Sequence, residues 1–298
     1  MLGITNYCRD SLRLSPSNKQ LKPEPIQEGE SAAELTQTEK RQARERTALR
    51  AAVIHEAIRA EGEGELRRPV TALIWSGVAA GLSMGLSLVA TGVLRAHLPD
   101  TSWRPLVVNL GYSVGFLTVI LGRQQLFTEN TLTVILPLLT RRDSETLRKV
   151  IRLWVVVLAA NLVGAFLFAW GVSASGAFDE STLAAFHEIG MISVSEPFFT
   201  SVFRAVFAGW IIATMVWMMP AADSSRPAII IVMTYLVGIA QLPHVIAGAA
   251  EVLYLVVSGS LSWAGFFGRF LVPTLIGNVA GGVALVAFFN HAQVVTEE

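Results

Sequence analysis

Cysteine, charged residues and catalytic motifs are all scarce in this 298-residue sequence. The single cysteine, Cys8, excludes an internal disulfide and a cysteine metal cluster. Charged residues make up 15% of the chain and sum to a formal net charge of zero, so nothing in the composition indicates nucleic-acid binding. The sequence also lacks metal-ligand spacings, a phosphate-binding loop and a nucleophile arrangement, which argues against an enzyme and against a resident metal or cofactor.

Apolar residues, in contrast, make up 52% of the chain, and the mean hydropathy is +0.52. Soluble domains are usually less apolar, so the composition indicates an all-α membrane protein that crosses the bilayer several times. The first long apolar run begins only near Pro69, and no secretory signal is expected. We predict six membrane-spanning helices, at residues 69–94, 105–140, 153–171, 198–219, 227–259 and 270–290.

The N-terminal part differs in composition from the rest of the chain. Residues 1–66 are predicted to form a cytoplasmic extension, disordered at first and then, after a capping box at Ser31, a charged helix. A six-span channel domain follows at 67–291, and a cytoplasmic tail at 292–298. The charged helix either lies on the membrane surface or acts as a partner-binding or plugging segment. We favour the first interpretation because the helix carries no recognisable motif.

Two of the apolar runs are interrupted by polar residues. The run at 105–140 is longer than the ~20 residues that one span needs, and its middle contains Arg123, two glutamines and Glu129. The run at 227–259 is interrupted by Gln-Leu-Pro-His, in which Pro243 removes a backbone donor. Backbone can leave a helix inside a membrane only where protein or water satisfies it. We therefore predict that the second and fifth helices are broken and that both breaks line a solute path.

Loop charges predict how the chain is oriented in the membrane. The loop between the second and third spans contains Arg141, Arg142, Arg148 and Lys149, whereas residues 172–197 contain no lysine or arginine. This difference places the first of these loops in the cytoplasm and, with six spans, both termini as well. The two broken helices then cross in opposite directions, which predicts an inverted repeat of three plus three helices.

Three short motifs resemble the formate/nitrite transporter family. They are Leu126-Phe127-Thr128-Glu129-Asn130, the His244 that follows the second break, and Ile276-Gly277-Asn278. The resemblance covers about residues 67–290, and two features, the long charged N-terminal extension and the Gly-Arg-Gln-Gln lead-in to the first motif, are most similar to the YfdC branch. It implies an aquaporin-like protomer with its own pore, a homopentamer, and the inner (plasma) membrane of a bacterium. The implied substrate is a small monovalent anion or its conjugate weak acid.

The motif positions also imply which residues line the pore. Thr128 is expected to hydrogen-bond His244 at the pore centre, and Phe127 to form an apolar constriction. Val237 stands where formate channels have a constricting aromatic residue, and Gly209 where they have an asparagine. The entrance lysine of formate channels has no counterpart between Arg152 and Arg204. The complete set of expected pore residues is His244, Thr128, Phe127, Leu126, Tyr112, Phe116, Val237, Gly209 and Asn278.

His244 is the only histidine within a predicted span, so we expect it to have a functional role. A neutral imidazole beside Thr128 can give a proton or a hydrogen bond to a weak-acid anion that enters the apolar centre. The alternative is a structural histidine that only caps the break. Thr128 can equally be a helix N-cap, since threonine is favoured there.

Five charged residues within or near the spans are predicted to form networks inside the protein, because buried ions are usually paired. We expect Arg123 and Glu129 to form one such network around the first break, and contact with the substrate is the alternative. We also expect Glu251 to pair with an arginine, either Arg204 or Arg269.

The loops assigned to the outside carry more acids than bases. These loops contain two arginines and five acids. The arginines are Arg95 and Arg104, and the acids are Asp100, Asp179, Glu180, Glu188 and Glu196. A negative mouth slows the entry of anions, so we predict a poor scavenger of external anions. Two other hypotheses remain at this stage. One is a neutral-solute pore of aquaporin type, and the other is a non-conducting membrane scaffold that acts through its N-terminal helix.

Overall fold

The computed structural model describes Thr36 and residues 49–297 of the chain. Contacts divide the chain into two units, Met1–Thr47 and Ala48–Glu298, and Thr36 is the only described residue of the first. The predicted capping box at Ser31 and the first part of the predicted charged helix lie outside the described residues.

The described part of Ala48–Glu298 is built from helices joined by turns and short loops. In chain order the α-helices are α1 Ala51–Leu66, α2 Val70–His97, α3 Arg104–Val108, α4 Ser113–Leu121, α5 Ile135–Arg141, α6 Ser144–Ser175, α7 Glu180–Ser193, α8 Phe198–Met218, α9 Arg226–Ile239, α10 Ala247–Val257, α11 Trp263–Gly265, α12 Val272–Ala280 and α13 Phe289–Glu297. Short 3₁₀ segments cover Asn109–Tyr112, Glu129–Thr131, Met219–Ala221 and Asp223–Ser225, and π-helical segments cover Phe266–Leu271 and Gly281–Phe288.

Five helical stretches within the described residues are long and apolar enough to cross a bilayer, where the sequence predicts six. They are Val70–His97, Arg104–Leu121, Ser144–Ser175, Phe198–Ala221 and Trp263–Thr296. The predicted fifth span is divided into α9, with 14 residues, and α10, with 11 residues. At 1.5 Å per residue, neither helix alone reaches across the ~30 Å hydrocarbon core.

The outer surface of the long helices is apolar. Trp75 on α2 is 77% exposed and Phe199 on α8 is 75% exposed. Large exposed apolar patches are unusual on soluble monomers. These faces therefore fit a protein whose surroundings are lipid tails or a second apolar surface.

Helix caps explain why α6 is longer than the predicted span at 153–171. The helix begins after Asp143, whose carboxylate accepts a hydrogen bond from the Thr146 N–H at 2.8 Å. It ends at Gly176, which adopts a left-handed conformation with φ of 64°. Hydrogen bonds from the Thr146 N–H and hydroxyl hold the pKa of Asp143 below its usual value.

The predicted polar loop at 172–197 contains helix α7, and in this the prediction is wrong. Asp179 caps that helix by accepting a hydrogen bond from the Thr182 N–H at 2.8 Å. Hydrogen bonds from Thr182 also hold the pKa of Asp179 below its usual value. A serine, threonine or aspartate cap before an apolar run is a helix signal, and Asp179 provides one here.

Helix α1 lies against α5, α8 and α13. Its Gly62 allows a close approach, since a side chain there would overlap the Thr133 carbonyl. The end of the predicted N-terminal extension is thus packed onto the helices that follow it. At the other end of the chain, α13 continues without interruption through the predicted domain boundary at 291/292.

The remaining helices form two sets of similar arrangement. In the first set α2 packs along α6, and in the second α8 packs along α12 and the π-helical segment after it. The first interruption separates α4 from α5, and the second separates α9 from α10.

Candidate functional site

The two interruptions of the helices have the same local geometry. Arg123 and Gln241 both adopt a positive φ, of 54° and 51°. The next N–H in each case, of Gln124 and of Leu242, returns to a carbonyl five residues earlier, at 3.0 Å in both places. Non-glycine residues seldom adopt positive φ. Such a pair of matched turns therefore requires support from the surrounding structure.

Asn161 on α6 supports the first interruption. Its Nδ2 donates to the carbonyls of Gly77 and Gln125, both at 2.8 Å, and its Oδ1 accepts from the Phe127 N–H at 2.9 Å. The side chain is fully buried and makes three hydrogen bonds. One amide thus satisfies the Gln125 carbonyl and the Phe127 N–H at the interruption, and it donates a further hydrogen bond to a carbonyl inside α2.

Asn278 on α12 supports the second interruption in the same way. Its Nδ2 donates to the carbonyls of Ala205 and Pro243, at 2.9 and 3.0 Å, and its Oδ1 accepts from the Val245 N–H at 2.8 Å. This side chain is also fully buried. The sequence predicts Asn278 as a pore residue, but the structure uses its amide to hold the break.

Asn161 is a residue that the sequence prediction missed. A signal for it is present in the repeated pattern Asn-x-x-Gly, at Asn161–Gly164 and again at Asn278–Gly281. Both glycines lie at close helix contacts, where a side chain would overlap the carbonyls of Val78 and Val206 respectively. A search for internal repeats would have paired the two asparagines.

Gly209, which the sequence predicts as a pore residue, lies at a close helix contact in the structure. It is buried in α8 against the backbone of Asn278, where a Cβ would overlap the Asn278 carbonyl. Gly81 on α2 makes the matching contact with the backbone of Asn161. Both glycines bring a helix close enough for the asparagine opposite to reach the break.

Thr128 and His244 come together from the two interruptions. The Thr128 Oγ1 lies 2.8 Å from the His244 Nε2, and both side chains are buried. The His244 Nδ1 accepts from the N–H groups of Ile246 and Ala247, at 3.3 and 3.2 Å. Because Nδ1 is an acceptor, the ring proton lies on Nε2 and is donated to the Thr128 hydroxyl oxygen. The Thr128 side chain makes no N-cap hydrogen bond to the 3₁₀ segment that it precedes.

Aromatic and aliphatic side chains surround this pair. Phe116 lies edge-on to the His244 ring, with a centroid distance of 5.0 Å, and Tyr112 lies 5.4 Å from Phe116. Leu126 and Phe127, next to Thr128 in the chain, are fully buried. The polar Thr128–His244 contact therefore sits in an apolar environment, where a hydrogen bond is stronger than in water.

A cavity of about 270 Å³ reaches His244 from one end of the helices, and we name it the Glu251 cavity. Its wall includes Tyr112 and Val237, as the sequence predicts for pore residues, together with Glu251. Three arginines and three acids line it, namely Arg95, Arg104, Arg204, Asp100, Glu196 and Glu251. The formal charges on its wall therefore sum to zero, whereas the charges of the outer loops predicted a negative entrance.

A second cavity, of about 510 Å³, lies at the opposite end of α8, and we name it the Glu129 cavity. Its wall includes Glu129, and α1 contributes Glu61 and Glu65. The N-terminal part of α8 lines the Glu251 cavity, whereas Val216 near its C-terminal end lines the Glu129 cavity. Phe116, Leu126, Phe127 and Thr128 line neither cavity.

The charged residues near the first interruption pair differently from the prediction. Arg123 forms an ion pair with Glu61 of α1 at 2.8 Å, and not with Glu129. Gln125 donates from Nε2 to the Glu65 carboxylate at 2.9 Å. The network that the sequence predicts around Arg123 therefore extends to α1, which packs across this end of the molecule.

The predicted pairing of Glu251 with an arginine is wrong. Arg204 pairs with Glu196, and the Arg269 Nη2 donates to the Val194 carbonyl at 2.7 Å. The Glu251 carboxyl instead accepts a hydrogen bond from the Ser193 hydroxyl. Across residues 49–297, no cation lies within ion-pair distance of Glu251, and no group of three or more metal-ligating side chains is present.

Comparison with known proteins assigns a family to this arrangement. A family model described as formate/nitrite transporter matches residues 52–292. The chain is 44% identical over 250 residues to the Escherichia coli (strain K12) inner membrane protein YfdC, covering 84% of this chain and 81% of that protein. Its fold is similar to that of a pentameric formate channel with formate bound, at a TM-score of 0.66 and 18% identity, covering 77% and 98% of the two chains. It is also similar to an FNT family ion channel, at a TM-score of 0.71 and 19% identity, covering 80% and 98%.

Proposed function

Because this chain belongs to the formate/nitrite transporter family, we propose that it moves a small monovalent anion or its conjugate weak acid across a membrane. In this proposal the solute passes from the Glu251 cavity, past Thr128 and His244, to the Glu129 cavity. The observation that carries it is the Thr128–His244 hydrogen bond, which joins the two interruptions between cavities at opposite ends of α8. Polar groups inside a membrane protein usually mark a solute path.

We further propose that six segments cross the bilayer, two of them broken, as an aquaporin-like inverted repeat. The crossings at 104–141 and 226–257 each consist of two helical parts joined by a break. The matched turns at Arg123 and Gln241, and the matched hydrogen bonds of Asn161 and Asn278, support this proposal. Two breaks that meet at mid-depth from opposite directions are typical of transporters built from inverted repeats.

The Thr128 hydroxyl is the group that contacts the solute in this proposal. His244 donates its Nε2–H to the Thr128 oxygen, which leaves the hydroxyl hydrogen free to turn toward a passing anion or acid. His244 itself cannot take up a second proton at Nδ1 without losing the N–H groups of Ile246 and Ala247. The histidine thus orients Thr128 and stays neutral, so it supplies a hydrogen bond but no proton.

An apolar centre favours a neutral solute over a bare anion. Moving an unpaired charge into low dielectric costs several kcal/mol even after the surroundings relax. Phe116, Leu126 and Phe127 are buried around the Thr128–His244 pair and provide no positive charge. We therefore propose that the solute crosses the centre as the neutral weak acid, or as an anion that shares a proton.

We assign the Glu251 cavity to the outside and the Glu129 cavity to the cytoplasm. The assignment rests on the basic loop after the second crossing, which contains Arg141, Arg142, Arg148 and Lys149. It places both termini in the cytoplasm. The similar protein YfdC is an inner membrane protein, which supports the same location for this chain in a bacterial cell.

We propose a homopentamer with one path in each protomer. The similar formate channel is pentameric. In this chain, exposed aromatic side chains on α2 and α8, among them Trp75 and Phe199, provide apolar surface for a second copy. Native mass spectrometry in mild detergent tests the proposal, and a spectrum that shows only monomers would contradict it.

The transport proposal is tested with purified protein in liposomes. Uptake of formate, nitrite, acetate, lactate, hydrosulfide and the neutral solute glycerol is followed over a range of external pH, with protein-free liposomes and the Thr128→Val variant as controls. We expect protein-dependent uptake of at least one of these solutes, rising as the external pH falls. A pH-independent flux of neutral solutes with no weak-acid flux would indicate a neutral-solute pore. No flux of any solute would refute transport.

A further inference from the structure

Glu251 is a buried acid on the wall of the Glu251 cavity, and among residues 49–297 it has no ion-pair partner. It lies on α10, two helical turns after His244, and only 7% of the residue is exposed. One carboxyl oxygen, Oε2, accepts from the Ser193 hydroxyl at the end of α7. Both Glu251 and His244 line the same cavity, so a solute that enters it to reach His244 has access to the carboxyl group.

The charged groups around Glu251 are already paired with each other. Arg95 pairs with Glu188, Arg104 with Asp100, and Arg204 with Glu196. The elements packed against α10 are α2, α6, α7 and the π-helical segment Phe266–Leu271. Their charged or titratable groups near this end are Arg95 and His97 on α2, His187 and Glu188 on α7, and Arg269, while Tyr112 and His244 complete the cavity wall. Arg269 is engaged with the Val194 carbonyl.

An unpaired carboxylate in such a place is unfavourable. Burying an ionised carboxyl without a partner costs far more than burying the neutral acid. Since the Ser193 hydroxyl donates to Oε2, that oxygen acts as the acceptor and the proton of the neutral acid lies on Oε1. A carboxylic acid held in this way has one O–H group to donate.

The centre of the path supplies no proton of its own. The two nitrogens of His244 are engaged with Thr128 and with the N–H groups of Ile246 and Ala247. An anion that is to cross as the neutral acid must therefore receive its proton before it reaches Thr128. Of the three acids on that approach, Glu251 is the one without an arginine partner, since Asp100 and Glu196 are paired.

We propose that Glu251 is the proton donor of the Glu251 cavity. The inference rests on the proposed transport function. The proton on Oε1 moves to an oxygen or sulfur of the entering anion, which becomes the neutral weak acid, and Glu251 becomes a carboxylate. The neutral acid moves on toward Thr128, and the carboxylate regains a proton from water at the cavity mouth. One proton thus enters with each anion, and no electron is transferred.

This role defines the class of substrate. Conjugate bases of weak acids, such as carboxylates, nitrite and hydrosulfide, can accept the proton. Anions of strong acids, such as chloride and nitrate, cannot accept the proton. They therefore stay charged when they reach Glu251. The structure therefore assigns to Glu251 the selection of protonatable anions over permanent ones.

The test compares wild type with Glu251→Gln, which keeps the shape and the Ser193 hydrogen bond but carries no acidic proton. Acetate uptake into liposomes is measured from neutral pH down to the pKa of acetic acid, after subtraction of protein-free liposomes. We expect uptake by Glu251→Gln to fall about tenfold at neutral pH. It should recover to within about twofold of wild type near the pKa of the acid, because water then supplies the neutral form directly.

Glu188→Gln is the matched control, because Glu188 is an exposed acid that pairs with Arg95 and does not line the cavity. It should follow the wild-type profile at every pH. Thermal unfolding midpoints in detergent establish that both variants fold. Equal acetate uptake by Glu251→Gln and wild type at all pH would overturn the inference, and so would a defect of the same size at all pH. If wild type moves no weak acid, the transport proposal fails first, and the role of Glu251 fails with it.

Discussion

Asn161 and Asn278 make the same set of three hydrogen bonds in two different parts of the molecule. Each amide donates to one carbonyl of a neighbouring long helix and one carbonyl of a break, and each accepts one N–H from the chain just beyond. Both side chains are fully buried. The two residues therefore replace the helical hydrogen bonds that the breaks interrupt, in an environment where water is not available to do so.

The first prediction concerns these two residues. Asn161→Ala or Asn278→Ala leaves one carbonyl and one N–H of the interruption without a partner, at about 1–3 kcal/mol for each buried group, whereas the Gly77 and Ala205 carbonyls lie inside the continuous helices α2 and α8. We expect a large fall in the thermal unfolding midpoint in mild detergent and a loss of protein-dependent flux. Asn161→Asp keeps the acceptor for the Phe127 N–H but loses both donors, so it should also destabilise. Asn109→Ala is the control, because the Asn109 amide makes one exposed hydrogen bond within its own turn. A similar midpoint for all four variants would contradict the assignment.

The second prediction concerns Thr128 and His244. Thr128→Val removes the hydroxyl while it keeps the shape, and we expect flux to fall about twofold to tenfold, as the loss of a ~0.5–1.5 kcal/mol hydrogen bond to a neutral solute implies. Thr128→Ser keeps the hydroxyl and should retain most of the flux. His244→Asn should lower the flux at every pH but keep its pH dependence, because the histidine is held neutral. Flux by Thr128→Val that equals wild type would show that the hydroxyl does not contact the solute.

The third prediction concerns Gly209. By the family resemblance, Gly209 stands where formate channels have an asparagine. Gly209→Asn is therefore a natural change to test for anion selectivity. We expect it to destabilise the fold instead, because even a Cβ would overlap the Asn278 carbonyl. Overpacking usually costs about 1–3 kcal/mol, and backbone gives way less readily than a side chain. Gly171→Ala on α6 is the control, since nothing lies within 4 Å of its added carbon. An intact Gly209→Asn with altered selectivity would mean that this glycine faces the path.

The fourth prediction concerns the pH dependence of stability at the start of α6. The pKa of Asp143 is lowered from the usual value of 3.8 by the hydrogen bonds from Thr146. Because the folded state lowers this pKa, the stabilisation is fully present above the unfolded value and is lost as the pH falls through the folded value. Asp143→Ala should therefore lower the unfolding midpoint at pH 7, and the difference from wild type should shrink below about pH 4.

Asp143→Ser separates the capping hydrogen bond from the charge. Serine is also a favoured N-cap residue, so this variant should stay close to wild type at low pH and fall between wild type and alanine at pH 7. Thermal unfolding followed by circular dichroism at both pH values measures the difference. A constant gap between wild type and Asp143→Ala from pH 7 to pH 3 would be inconsistent with a charged cap.

The sequence alone determined the class and the family, and it predicted polar interruptions close to where two helices end, at Leu121 and Ile239. Hydropathy indicates a membrane protein because burial in lipid requires apolar side chains along the whole of each helix, and the motif around Thr128 identified the family, as the comparisons confirm. Polar interruptions at Arg123 and Pro243 fall where the structure leaves the helix. These features are local, since each is set by the chemistry of residues that are neighbours in the chain.

Only the tertiary structure decided which polar groups meet. Each residue turns a helix by 100°, so small differences in helix rotation and tilt decide whether Glu251 faces an arginine or Ser193, and whether Arg123 faces Glu129 or Glu61. Gly209 is a helix contact for the same reason, because α8 presents it to the backbone of Asn278. Such pairings join residues that are far apart in the chain, and the packing of whole helices places them together.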